Sequence, residues 1–153
     1  MKSIERISAE DCIKHKDAIS TLLQEIYSIN LPGSNLSAEQ GQQMTQELVQ
    51  YLKEDKAILF GAFKDEDFVG FLWAYPRYIG RQKRLHLNQI IVKSESRGLG
   101  FGKMLMNELE VAAIKEGCEG IELLSSVSNK AATNLYESLG FEVERIQFYK
   151  GTN

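Results

Sequence analysis

The chain has 153 residues and a mass of 17.3 kDa, enough for one domain and too little for two adequate cores. It is 43% hydrophobic and 25% charged with only two prolines, which excludes a disordered tail, a collagen-like chain and a low-complexity polymer. Eighteen basic against twenty-one acidic residues give a formal charge of −3, so no broad electrostatic grip on nucleic-acid phosphates is expected, only a local basic patch.

Cys12 and Cys118 lie far apart in sequence, with none of the close Cys or His neighbours of a zinc or redox motif, so no metal is expected. The opening MKSIERISAEDC breaks its hydrophobicity too often for a secretory signal. The longest apolar stretch, Ala57 to Phe63, is far short of the roughly 20 residues that span a bilayer. A soluble cytoplasmic protein with reduced thiols, binding neither nucleic acid nor membrane, is the expectation.

Residues 2 to 8 read as a short strand ahead of Ser8-x-x-Asp11, which resembles a capping box. From Asp11 to about Ile29, Ile19, Leu22, Leu23 and Ile26 fall on one helical stripe. Pro32 and Gly33 end that helix, and Ser37-x-x-Gln40 starts another with Met44, Leu48, Tyr51 and Leu52 on one face. Ala57 to Phe63, Phe68 to Tyr75 and Leu85 to Val92 then predict a three-stranded antiparallel meander, with a basic stretch from Arg77 to Arg84 before the third strand.

After Val92 come a glycine-rich turn, an amphipathic helix through Phe101, Leu105, Leu109 and Ala112, and a strand from Gly120 to Val127. That order is a βαβ crossover, which makes its two strands parallel. A helix from about Lys130 to Leu139, stopped by Gly140, leads to a last strand from Phe141 to Tyr149, whose apolar phase shifts between Val143 and Ile146. The fold class is α/β (α+β): a mixed, mostly antiparallel sheet with a central parallel strand pair, flanked by helices. No repeat or linker divides residues 1–153.

The most informative segment is Arg97-Gly98-Leu99-Gly100-Phe101-Gly102-Lys103, between a strand and a helix N-terminus. Glycines let the backbone approach a ligand and take positive φ, while unpaired N–H groups and the helix dipole favour negative charge. A Walker A loop fails because Arg97 stands at its first glycine and Met104 at its hydroxyl position. The dinucleotide fingerprint G-x-G-x-x-G is not met by G-x-G-x-G, and too little chain follows for a second nucleotide-binding half. A coenzyme A pyrophosphate site fits the pieces.

Arg97 to Gly102 matches [Q/R]-x-x-G-x-[G/A], and Asn129-Lys130-Ala131-Ala132-Thr133-Asn134-Leu135-Tyr136-Glu137-Ser138-Leu139-Gly140-Phe141 matches N-x-x-A-x-x-L-Y-x-x-x-G-F. With these two motifs in order, the chain resembles the GNAT superfamily of acyl-CoA-dependent N-acetyltransferases. The first eighty residues resemble it only in the order of their elements. The resemblance implies acetyl-CoA as co-substrate and no metal. The amides of Gly98, Leu99, Gly100, Phe101, Gly102 and Lys103 would bind the pyrophosphate, with Arg97 adding charge or fixing the turn. It further implies that the backbone of Ile90, Ile91 and Val92 pairs with the pantetheine arm, that Asn129 borders the cofactor site while capping its helix, and that Tyr136 gives the departing thiolate its proton.

The implied reaction is direct attack by a primary amine of a small molecule or polypeptide, with a homodimer kept open as the assembly. A lysine-like amine costs about 4.6 kcal/mol to deprotonate at pH 7, an α-amine near pKa 8 only about 1.4, so the strength of the base is a clue to the acceptor. His86 occupies the place where some members carry a glutamate base, and Asn88 could hold a relaying water. The missing glutamate leaves a second reading, a non-catalytic acyl-CoA-binding or regulatory module. The basic run of Arg77, Arg81, Lys83 and Arg84 reads as a solvated hairpin tip or as a patch for an acidic acceptor, and Tyr27 to Leu36 falls where the family lines its acceptor site.

Overall fold

The computed structural model describes residues 1–153. The elements run β1 (Lys2–Arg6), α1 (Ala9–Lys14), α2 (Lys16–Asn30), α3 (Ala38–Lys53), β2 (Ile58–Lys64), β3 (Asp67–Ile79) and β4 (Gln82–Val92). A single 3-10 turn at Ser94–Ser96 precedes α4 (Phe101–Lys115), β5 (Gly120–Leu123) and α5 (Lys130–Ser138). The five strands form one sheet in sequence order; β1 through β4 pair antiparallel and β4 with β5 parallel. Mostly antiparallel strands with a parallel pair and flanking helices are the class the sequence pattern predicts, but the parallel pair is at the edge of the sheet rather than central, because no strand forms after α5 to cover β5.

Each face of the sheet carries its own core. On one, Ile58, Leu72, Leu85 and Leu87 pack against Phe101, Leu105, Met106 and Leu109 of α4. On the other, Leu59, Phe71 and Ile91 meet Ile19, Leu22, Leu23 and Ile26 of α2 and Leu48 of α3. Alternation along the strands makes this division, because successive side chains point to opposite faces. Full burial of a Leu or Phe side chain is worth roughly 1.5–3 kcal/mol, so these two layers hold the sheet from both sides.

Ser37 forms the capping box its sequence announces, accepting from the Gln40 N–H at 3.1 Å while the Gln40 side chain accepts from the Ser37 N–H at 2.8 Å. Ser8 caps α1 by accepting from the Asp11 N–H. The first helical stretch, expected as one helix, is two. His15 leaves helical geometry at φ −101°, ψ 16°, and its ring stacks on Phe68 with centroids 4.9 Å apart. The aromatic contact takes the place of continued helix.

Three other expectations are corrected. β3 and β4 extend through the basic run, pairing Arg77 with Arg84 and Ile79 with Gln82 around a turn at Gly80 and Arg81, so most of that run belongs to a ladder. The predicted strand from Phe141 to Tyr149 does not form: the N–H of Phe141 bonds to the carbonyl of Tyr136, and no further backbone bond follows. The shift in apolar phase explains this, since no single face could bury both Val143 and Ile146, and both side chains are exposed with Phe148 and Tyr149. β5 likewise ends at Leu123 rather than Val127, where the chain turns away from β4.

Gly70 of β3 sits against the strand that borders the site. A Cβ there would lie 2.5 Å from the Ile91 carbonyl oxygen and 3.0 Å from the Val92 Cα. Gly70→Ala is therefore expected to destabilise the fold by about 1–3 kcal/mol through forced separation of β3 and β4. A urea midpoint equal to that of the parent would refute this.

Candidate active site

The parallel pairing of β4 with β5 covers only Arg84 to Leu87 against Gly120 to Leu123. Beyond it β4 continues to Val92, hydrogen-bonded to β3 alone. The register with β3 slips at the same place, Trp73 pairing with Gln89 and Ala74 with Leu87, so Asn88 is the extra residue of a bulge. A bulge bends and twists its strand. The two strands part there, leaving a cleft of about 440 Å³ bordered by Ile90, Ile91 and Val92 on one side and Leu123, Leu124 and Ser125 on the other.

The glycine turn closes one end of this cleft. Gly98 and Gly100 have φ of +76° and +91°, which side-chain-bearing residues rarely adopt. Gly100 is the N-cap of α4 and offers no side-chain cap, and the first backbone bond of the helix runs from the Met104 N–H to the Gly100 carbonyl. The N–H groups of Phe101, Gly102 and Lys103 thus have no backbone acceptor. With no acidic residue in its first turn, α4 presents an uncapped, positively polarised end to the cleft. These donors and open glycines fit a diphosphate.

Arg97 borders the cleft but is not a free charge. Its Nη2 donates to Glu25 of α2 at 2.6 Å and its Nε to the Val92 carbonyl at 2.9 Å, so it ties the turn to the end of β4. The Leu99 side chain stands apart from the cleft, while its carbonyl accepts from Lys2. On the facing wall, Asn129 caps α5 by accepting from the Ala132 N–H at 3.2 Å and donates to the Asn30 side chain at 3.0 Å. Ser126 donates to the Asn30 carbonyl beside it. The end of α2 is thereby fastened across the cleft to the loop before α5.

Tyr136 also borders the cleft. It is buried, and its ring meets Phe141 edge-on at 5.9 Å. Burial pushes its ionisation up to about 12. The hydroxyl is therefore a neutral donor at any physiological pH.

His86 is not part of the cleft lining. It lies on the α2 side of the sheet in one rung with Tyr75 and Glu122, its register partners on β3 and β5. Nδ1 lies 2.6 Å from Glu122 Oε2, and the ring is 5.1 Å from that of Tyr75. Arg77 Nε approaches the same carboxylate at 2.9 Å, and Arg84 at 3.6 Å. Arg84 in turn donates twice to Glu144, at 2.6 and 2.7 Å. Two of the four basic residues singled out in the sequence are thus held internally, and Lys83 donates to the Glu116 carbonyl.

The sequence matches the model of the Acetyltransferase (GNAT) family over residues 18–141. The chain belongs to this family. It is 34% identical over 115 residues to an N-alpha-acetyltransferase of Sulfurisphaera tokodaii, a match covering 66% of each chain. It is 28% identical over 81 residues to the N-terminal acetyltransferase B complex catalytic subunit naa20 of Schizosaccharomyces pombe, covering 53% of this chain and 45% of that one. The alignment spans less than half of that relative. A solved structure of aminoglycoside N-acetyltransferase AAC(6')-Iy in complex with CoA has a TM-score of 0.77 at 22% identity, covering 99% of this chain and 95% of that one. The GNAT fold is common to both.

Within this GNAT chain, the sequence reading missed Glu122, Glu25 and Asn30. Glu122 left a signal: a carboxylate inside the strand Gly120-Ile121-Glu122-Leu123 is out of place unless something pairs with it. Glu25 and Asn30 left none, because their partners are distant in sequence. No group of three His, Cys, Asp or Glu residues is placed to hold a metal ion, and no helix is long and apolar enough to cross a membrane.

Burial also raises the Cys12 thiol to about 11. Both buried groups ionise near 9 and 10 in the unfolded chain, so their contribution is fully present below pH 9 and lost as pH climbs through 11 and 12. Each withdraws about 1.4 kcal/mol per pH unit between its two ionisations. Stability measured by urea should fall steeply above pH 9, and the Tyr136→Phe protein should fall less steeply from pH 10. Equal slopes would mean that the Tyr136 hydroxyl is solvated.

Proposed function

We propose that this chain is an acetyl-CoA-dependent N-acetyltransferase, one domain over residues 1–153, transferring acetyl to a primary amine. One observation carries the reading: the parting of β4 and β5 joins the uncapped end of α4 to Tyr136 through a single cleft. The amides of Gly98 through Lys103 would take the pyrophosphate. The unpaired edge of Ile90, Ile91 and Val92 would hold the pantetheine arm as a strand holds its neighbour, with Asn129 bordering it opposite. Bound acetyl-CoA supplies a thioester carbonyl open to attack. A β4 N–H would polarise that carbonyl and stabilise the charge that develops on its oxygen.

Tyr136 donates a hydrogen bond to the departing sulfur. A tyrosine at about 12 facing an ordinary thiolate near 8.5 would transfer its proton uphill by about 5 kcal/mol. Complete transfer therefore requires the sulfur to be desolvated too, as the wall of Leu123, Ala132 and Leu135 would ensure. Cys118, at the far end of α4, is remote from the reaction, which favours direct attack over an acyl-cysteine.

The acceptor enters on the α2 side, where Ile26, Ile29 and Asn30 border the cleft. His86 is the base on that side. Because it stands back from the cleft lining, it acts through a water held near Asn88 at the bulge. The acceptor is a small-molecule or polypeptide amine, and its setting is the cytoplasm, a reading supported by two unpaired cysteines. Exposed Ile146, Phe148 and Tyr149 support a homodimer.

Acetyl-CoA mixed with peptide α-amines, lysine-like ε-amines and aminoglycosides should release free thiol with at least one of them. Binding of acetyl-CoA without release on any would favour the non-catalytic module instead. Gly100→Val, strained at φ +91°, should weaken CoA binding tenfold or more by calorimetry while the circular dichroism stays native. Unchanged affinity in that folded variant would remove the turn from the site. Tyr136→Phe should lower kcat at least tenfold and leave CoA affinity within twofold; equal losses in both would make Tyr136 a packing residue.

A further inference from the structure

We propose that Glu122 is the positioning residue for His86, fixing the imidazole tautomer that leaves Nε2 free to take the acceptor's proton. The inference rests on the reading of His86 as base. Three strands deliver the parts to one rung: Tyr75 from β3, His86 from β4 and Glu122 from β5 stand in register. The Nδ1 to Oε2 distance is 2.6 Å, with the two side chains 9% and 11% exposed. A carboxylate can only accept, so Nδ1 must be the protonated nitrogen and Nε2 carries the lone pair. Nε2 has no partner within the protein and is not among the sealed polar atoms.

The surroundings keep that arrangement. The titratable and charged groups facing the imidazole are Tyr75 and Arg77 of β3, Arg84 of β4 and Glu122 of β5, with Glu144 of the C-terminal segment behind Arg84. Glu122 and Glu144 offset Arg77 and Arg84, with Arg145 at 4.0 Å from Glu144 on the outer edge of the cluster. Arg77 Nε lies 2.9 Å from the same Oε2 as an ion pair but makes no hydrogen bond to it, so the ring of His86 is the group that orients the carboxylate. The other oxygen, Oε1, is buried without a hydrogen bond and lies 3.6 Å from Arg84 Nη1. In the step, an acceptor ammonium gives a proton through water to Nε2, becoming the neutral amine that attacks. The imidazolium formed is stabilised by the Glu122 carboxylate and returns its proton to solvent.

The tautomer is measured directly in the parent protein by nitrogen chemical shifts of the neutral His86 ring. Nδ1–H with an unprotonated Nε2 is expected, and the opposite tautomer overturns the proposal whatever the variants do. Kinetics with the best amine of the panel supply the second arm. Glu122→Gln should lower kcat tenfold or more and leave the KM for acetyl-CoA within twofold. It should also move the acidic, rising limb of the pH profile to lower pH, because the cluster then carries an extra positive charge, and Glu122→Asp should recover part of kcat. Glu122→Gln with parental kcat and pH profile, while His86→Ala loses the limb, overturns the role of Glu122 and leaves His86 as base. If His86→Ala keeps the parental pH profile, the reading of His86 fails and the proposal falls with it.

Discussion

The separation of β4 from β5 after only four paired residues is the constraint on which the site depends. A parallel pair that ran on would satisfy the β4 backbone from both sides, and no ligand could take that edge. The bulge at Asn88 ends the pairing by turning the strand, while β3 keeps the other edge fully bonded. The exposed edge is thus rigid rather than frayed: Ile91 is buried against α2, and Ile90 and Val92 pack toward α4. A strand held on one edge and open on the other is a template for an extended ligand.

That opening would collapse without struts, because its walls are largely apolar. The structure supplies polar ties at both ends. Arg97 joins the glycine turn to the Val92 carbonyl and to Glu25 of α2, and Asn30 joins α2 to Ser126 and Asn129 on the opposite wall. The Arg97–Glu25 tie and both Asn30 ties pair groups distant in sequence. The glycine turn therefore has fixed geometry although Gly98 and Gly100 would be flexible in isolation, and preorganised donors are what electrostatic recognition of an anion requires.

Legibility in the sequence follows the range of each interaction. The capping box at Ser37, the parallel crossover and the glycine turn rest on contacts within a few residues or on periodicity, and they stand where the pattern puts them. Tyr136 and Asn129 were readable because a motif fixes their spacing on one short helix. The break at His15 was not, because stacking on Phe68 overrides a continuous helical stripe. The strand expected from Phe141 to Tyr149 had the right composition, yet its shifted phase left no face to bury. Glu122 stood out only as a carboxylate inside a strand, and Asn30 not at all, because their partners depend on which strand and which helix end lie opposite.

The charge cluster beside His86 shows why the basic run misleads when read as a surface. Arg77 and Arg84 are directly opposite in register, a repulsive arrangement in an antiparallel pair. It is tolerated because Glu122 lies between them and Glu144 grips Arg84 from beyond the edge of β5. The arginines therefore serve the interior of the sheet, and any preference for an acidic acceptor falls mainly to Arg81 on the turn. The C-terminal segment acquires a purpose from the same bonds. Although it forms no strand, its Glu144 pairs with Arg84, linking the conformation of that segment to the charges around the only histidine on β4.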